Sequence, residues 1–182
     1  MIPDKLRRLD GVLCEHHPAL HATLQSGITA QSKFEMLRDW FAWKNGQSGG
    51  NAPFSGALFF GWHRFVPFEE GKHELQSARR SLWTNPIYAA FALTFGRQLL
   101  RSWPLLVDAS GAGYYFDTGK RTVLYRVEGD PDICFDSFED FVDFLIELSL
   151  TNCSERNFLE TEQKNSESFF EAVVLVQISA MP

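Results

Sequence analysis

An α+β domain, in which helices flank an antiparallel sheet, is the fold class that the sequence predicts. Apolar residues recur at helical spacing around Leu37 and again around Phe141, which is typical of amphipathic helices. Between Trp103 and Val127, three short apolar runs are separated by glycine-containing turns, which is typical of an antiparallel meander. Because domains usually contain about 100–200 residues, a single domain is expected for residues 1–182.

Composition and charge limit the classes of partner. Apolar residues make up 45% of the chain, with 17 phenylalanines and five tryptophans, so most rings must be buried in a substantial core. The net charge of -6 argues against a nucleic-acid binder, which needs excess Lys and Arg, and against an anionic membrane surface. An acidic protein suits a basic protein partner, although solubility alone explains the charge equally well.

The three cysteines indicate a reducing compartment. Cys14, Cys134 and Cys153 are odd in number and widely spaced, which argues against a disulfide framework. The first residues contain no apolar signal core, and no run approaches the roughly 20 apolar residues that span a bilayer. We therefore expect a soluble, cytoplasmic protein.

The N-terminal 27 residues combine a short helical pattern with a polar stretch. The helical pattern is formed by Leu6, Leu9 and Leu13. His17 and His21 then follow at the spacing that aligns two metal ligands on one helix. Pro18 argues against this, because proline suits the first turn of a helix and would place His17 before it. We expect neither a metal site nor a cofactor here.

The next segment predicts a well-defined helix. Ser32 and Glu35 have the spacing of a capping box, in which the serine accepts a hydrogen bond from an early backbone N–H. Apolar residues such as Leu37 and Phe41 form one face, and Asn45-Gly46 is expected to end the helix in a left-handed conformation. Further on, Leu58–Phe60 predicts a strand, Glu69–Leu82 a surface helix, and Asn85-Pro86 the start of another helix.

The second half predicts the meander and a closing helix. The expected strands are Leu105–Val107, Tyr114–Phe116 and Thr122–Val127, and Asp130-Pro131-Asp132 is expected to interrupt the pattern. Ser137 is expected to cap a helix whose apolar face contains Phe138, Phe141, Val142, Leu145 and Leu148. Residues 151–182 form a C-terminal extension that is compatible with either helix or strand.

Two segments resemble the SUKH superfamily, which includes yeast cell-wall assembly regulator-like proteins and many bacterial immunity proteins. The first is Leu37–Gln47, where a helix containing Trp40 runs into Asn45-Gly46. The second is Trp103–Asp117, with a tryptophan, a short strand, an Asp-x-x-Gly turn and a second strand that ends in aspartate. Its matching residues are Trp103, Asp108, Gly111, Tyr115 and Asp117. The resemblance covers about residues 28–150.

The resemblance implies an antiparallel sheet flanked by helices and a protein-binding role. A non-enzymatic role also matches the absence of a convincing catalytic constellation in the sequence. Bacterial members of the family often neutralise a toxin by direct contact, so an immunity protein is one expectation. A regulatory scaffold is an alternative, and a small metal-dependent hydrolase that uses the histidines or the turn aspartates is another. Because a fold does not define a function, these remain hypotheses.

Two groups of carboxylates could carry function. Asp108 and Asp117 could form an acid/base pair, but aspartates also open tight turns by accepting from backbone N–H groups two residues on, and we favour that role. The second group is a cluster that could face a basic toxin domain or simply be a solvated helix start. This cluster contains Asp130, Asp132, Asp136, Glu139, Asp140 and Asp143.

Overall fold

The chain has an α+β fold, with helices and antiparallel sheets, in a computed structural model. The structure describes residues 1–48, 63–84, 100–127 and 130–151. The predicted strand at residues 58–60, the predicted helix from residue 85 and the extension from residue 152 lie outside these ranges.

Five helices and seven strands make up the described part of the chain. The helices are α1 (Ile2–His16), α2 (Pro18–Thr23), α3 (Glu35–Trp43), α4 (Phe68–Thr84) and α5 (Phe138–Leu150). The strands are β1 (Leu24–Ser26), β2 (Lys44–Gln47), β3 (Arg64–Phe65), β4 (Ser102–Val107), β5 (Gly113–Asp117), β6 (Val123–Val127) and β7 (Asp130–Phe135). Strands β1 and β2 pair separately, and the other five form one sheet in the order β3-β4-β5-β6-β7.

The N-terminal helices follow the predicted pattern. The leucines at the helical spacing are buried along α1. Pro18 occupies the first position of α2, and His17 lies between the two helices. Proline suits this position because the first N–H of a helix has no intrahelical partner.

The predicted capping box of α3 is wrong. The helix begins at Glu35, and the extended Phe34 precedes it without any side-chain cap. Ser32 Oγ instead accepts from the Phe34 N–H at 3.2 Å. Phe34 packs edge-on against Phe116 of β5, with ring centroids 5.8 Å apart. Tertiary packing of this ring thus holds the residue out of the helix and moves the helix start beyond the serine.

The predicted end of α3 is also wrong. The helix stops at Trp43, because Lys44 is already extended and starts β2. Gly46 does have the positive φ that was expected, at 92°, but it lies within the strand. Asn45 Oδ1 accepts from the Phe68 N–H at 2.9 Å, so this side chain satisfies a donor at the start of α4. Asn45-Gly46 therefore joins two elements and does not terminate one.

The meander contains one strand more than predicted. The three expected strands are confirmed as β4, β5 and β6, but Asp130-Pro131-Asp132, expected to break the pattern, begins the strand β7. Pro131 lies opposite Arg126 of β6. Strand β7 pairs only with β6 in the described sheet, and proline is tolerated in such an edge strand because its missing N–H need not serve a second neighbour.

Aromatic rings fill the space between the sheet and the helices. Side chains alternate across β5, since Tyr114 and Phe116 belong to the main core, whereas Tyr115 packs with Val66 and Val107 in a smaller cluster. Trp40 of α3 is fully buried at the centre of the main core. Helix α5 closes this core, and its Ser137 cap is confirmed, because the Ser137 Oγ accepts from the Asp140 N–H at 3.1 Å.

Replacement of Gly46 tests the corner between β2 and α4. A Cβ at this position would lie 2.6 Å from Pro67 Cγ, and left-handed backbone costs an L-residue about 1–2 kcal/mol. We expect Gly46→Ala to lower the free energy of unfolding by about 1–3 kcal/mol in urea titrations. Gly11→Ala is the matched control, since nothing lies within 4 Å of its added Cβ and alanine favours a helix by about 0.5–1 kcal/mol. Equal effects of both substitutions would contradict the corner's role.

Candidate functional site

The acidic surface at the start of α5 is the main candidate site. It consists of Asp136, Glu139 and Asp140, which follow directly after β7; Asp136 and Asp140 are exposed and Glu139 is half-buried. Among the described residues, none of these three carboxylates has a basic side chain within the 4.0 Å of an ion pair. Asp140 accepts from Ser137 Oγ at 2.6 Å. Within the described ranges no ion pair therefore neutralises these three charges, and those of Asp136 and Asp140 face solvent.

The other predicted members of the acidic cluster differ from these three. Asp143 forms an ion pair with Lys5 of α1, so it helps to hold α1 against α5. Asp130 and Asp132 belong to β7, opposite Val127 and Tyr125 of β6. The sequence could not separate these three carboxylates from Asp143, because Lys5 is 138 residues away from Asp143 along the chain.

Asp108 shapes the turn between β4 and β5. Its Oδ1 accepts from the Ser110 N–H at 2.8 Å and from the Ala112 N–H at 3.0 Å. Gly111 has a φ of 87°, and its carbonyl accepts from the Tyr115 hydroxyl at 2.6 Å. The predicted role of this aspartate in a tight turn is confirmed by these contacts.

Asp117 shapes the next turn, at the other end of β5. Its Oδ1 accepts from the Gly119 N–H at 2.7 Å and the Lys120 N–H at 3.1 Å, and the side chain is fully buried. Asp117 pairs with Ser102 at the start of β4, whereas Asp108 follows the end of that strand. The two carboxylates thus occupy opposite ends of the β4–β5 pair, so they cannot act on one substrate atom as an acid/base pair.

The two remaining residues of the motif, Trp40 and Trp103, are buried. Trp40 packs against Phe65 and Phe138, with ring centroids 4.8 Å and 5.6 Å away. Trp103 stacks on Phe68 at 5.1 Å. Both tryptophans therefore support the scaffold and contribute little surface for a partner.

The histidines near the N-terminus bond to other groups. His17 Nε2 lies 2.9 Å from the Ser149 carbonyl oxygen, one of the acceptors that the last turn of a helix leaves unsatisfied. His21 Nε2 lies 3.0 Å from Asp10 Oδ1. Within residues 1–48, 63–84, 100–127 and 130–151, no three His, Cys, Asp or Glu side chains are grouped so that they could hold a metal ion.

A polar network around Asp10 is the arrangement that sequence reasoning missed. Besides His21, Asp10 Oδ1 accepts from Trp43 Nε1 and lies close to Lys44 Nζ, both at 3.0 Å. Partial burial raises the pKa of Asp10, but the hydrogen bonds from Lys44, Trp43 and His21 outweigh it and lower the pKa below its ordinary value. The network ties α1, α2 and the α3–β2 corner together. No spacing in the sequence signals it, since its members are 11 and 33 residues apart.

Charged side chains of strands β3 and β6 also contact neighbouring elements. Arg64 of β3 binds Glu70 of α4 through both guanidinium nitrogens, one at 2.8 Å, and these hydrogen bonds lower the pKa of Glu70. Arg126 of β6 lies over the Tyr115 ring at 4.4 Å. These contacts join neighbouring elements and are typical of a structural role.

Comparison with protein-family models gives no match for this chain, and comparison with curated proteins gives none either. None of the helices that the structure describes is long and apolar enough to cross a membrane.

Replacement of Asp117 distinguishes a turn role from a need for charge. Asp117→Ala removes the acceptor of two backbone N–H groups, so we expect it to lower the free energy of unfolding by about 2–3 kcal/mol. Asp117→Asn keeps an oxygen acceptor and should cost less than about 1 kcal/mol. Urea denaturation of both variants measures the difference, and an asparagine as costly as the alanine would contradict the turn role.

Proposed function

We propose that this chain is a non-enzymatic, SUKH-like protein-binding domain that acts as an immunity protein by covering the basic active face of a toxin. The observation that carries the proposal is the group formed by the exposed Asp136 and Asp140 and the half-buried Glu139, whose charges have no basic partner among the described residues. Occlusion by such a surface requires no catalytic group.

The position of these carboxylates suits an encounter surface. They lie in the first turn of α5 or just before it, and the helix is held by Ser137 and by its buried face, so the charges are presented on a rigid element. Exposed charges of one sign speed the approach of an oppositely charged partner and disfavour wrong partners. The order of the elements, a meander followed by a closing helix, is the order that the SUKH resemblance implies and supports the proposal.

The product of the neighbouring gene provides the most direct test. If that product is a toxin, co-expression with this chain should restore growth, and the two purified proteins should form a stable complex. Toxicity that is unchanged by co-expression, together with no complex, would rule out immunity against that toxin. A complex with a non-toxic neighbour would favour a regulatory scaffold.

A charge-removal variant tests the surface itself. Asp136→Asn combined with Glu139→Gln should weaken binding to the toxin about 2- to 30-fold, taking about 0.2–1 kcal/mol for each exposed charge pair lost. The loss should be greater at low salt, because salt screens exposed charges. Titration calorimetry at two ionic strengths measures both effects.

The matched control removes two carboxylates elsewhere. Glu15 on α1 and Glu35 in the first turn of α3 are both exposed, so Glu15→Gln combined with Glu35→Gln changes the net charge by the same amount. We expect this control to bind as the unchanged protein does. Equal weakening by both double variants would show that net charge, and not the surface at the start of α5, determines affinity.

A further inference from the structure

His63 occupies an unusual place for a titratable side chain. It directly precedes β3 and is only 2% exposed. Its ring packs on two tyrosines of the sheet, with centroid distances of 5.4 Å to Tyr114 of β5 and 5.9 Å to Tyr125 of β6. Tyr114 in turn contacts Phe141 and Phe144 of α5, at 5.3 Å and 6.2 Å. His63 is therefore part of the aromatic layer that joins the sheet to α5.

Neither ring nitrogen of His63 has a hydrogen-bond partner in the part of the chain that the structure describes. A neutral imidazole without partners is already costly to bury, and an imidazolium without partners is far more costly. Burial accordingly lowers the pKa of His63 to about 4, although the nearby carboxylate of Asp108 acts in the opposite direction.

Of the groups in the described ranges, the carboxylate of Asp108 is the one that favours a proton on this ring. The phenols of Tyr114 on β5 and Tyr125 on β6 are the titratable groups packed on the ring. Helix α5 contributes Phe141 and Phe144 to the same layer. Arg64, the next residue of the chain, is engaged with Glu70.

We propose that His63 is an acid-sensitive joint between the sheet and α5, in which proton uptake drives the ring out of the aromatic layer and loosens the contact between β5 and α5. Phe65, two residues on, is buried against Trp40 at 4.8 Å and keeps β3 anchored. The response is therefore confined first to the end of the sheet that holds His63. The proposal does not rest on the proposed partner-binding function.

The sign of the effect follows from the two protonation states. Unfolding restores the ordinary pKa of about 6.5, so the unfolded chain binds a proton more readily than the folded one. The contribution of His63 to the free energy of unfolding is fully present above its unfolded pKa of about 6.5. This contribution falls as the pH drops toward the folded pKa of about 4 and changes no further below it. The shift corresponds to a rise in the unfolding equilibrium constant on the order of 100-fold.

Urea unfolding of the full chain between about pH 7 and about pH 4 tests the joint. His63→Phe keeps an aromatic ring in the layer but cannot titrate. Between these two pH values, the unfolding equilibrium constant of the unchanged protein should therefore increase by a factor on the order of 100 more than that of the variant. His73→Gln, at an exposed histidine of α4, is the control and should follow the unchanged protein. The same pH dependence in all three proteins would overturn the proposal.

Two measurements on the unchanged protein serve if His63→Phe does not fold. The imidazole resonances of His63 should titrate below about pH 5 in NMR spectra, and titration near the ordinary value of about 6.5 would overturn the proposal. Hydrogen exchange, corrected for the intrinsic rate at each pH, should show loss of protection on acidification in β5 and in the first half of α5 before α1. Simultaneous loss of protection in all three elements would mean global unfolding and would overturn the proposal.

Discussion

The burial of Trp40 is the constraint on which the described fold depends. Its ring belongs to α3 and meets Phe65 of β3 together with Phe138 and Phe141 of α5, at centroid distances of 4.8, 5.6 and 6.0 Å. The ring of Trp40 is thus the point at which α3, α5 and the sheet all contact one another. The cost of its indole N–H, which has no partner among the described residues, is offset by the packing of the ring, since loss of a buried aromatic side chain usually costs about 3–5 kcal/mol.

Polar contacts at the periphery keep the remaining elements aligned with this centre. Asn45 satisfies a donor at the start of α4, and His17 reaches an acceptor in the last turn of α5. Asp10 joins both N-terminal helices to the corner that follows α3. Each contact satisfies groups that helix ends or partial burial would otherwise leave unpaired, so its energetic value lies mainly in avoiding that penalty.

The sequence predicts those features that depend on neighbouring residues and misses those that depend on distant ones. Helix α5 and its Ser137 cap, like the turn aspartates, follow local rules and are found where expected. Ser32 does not cap α3, because the Phe34 ring is needed against Phe116. Strand β7 was missed because Pro131 disfavours a strand unless that strand lies at a sheet edge, and edge position is not encoded locally. Asp136, Glu139 and Asp140 could not be told from Asp143, because Lys5 pairs with Asp143 from the far end of the chain.

Helix α5 connects the two proposals through its two faces. Its first turn contains the half-buried Glu139 and the exposed Asp140, whereas Phe141 and Phe144 contact the ring of Tyr114. Because replacement of these carboxylates leaves the rings of the aromatic layer in the sequence, it should leave the response to acid intact. Conversely, loss of the His63 ring from that layer changes no charge at the start of the helix. It alters instead the packing of β5 against α5, the helix that contains two of those charges. If acid weakens partner binding and His63→Phe prevents that weakening, then protonation of His63 affects binding through the position of α5, and not through the charge of its surface.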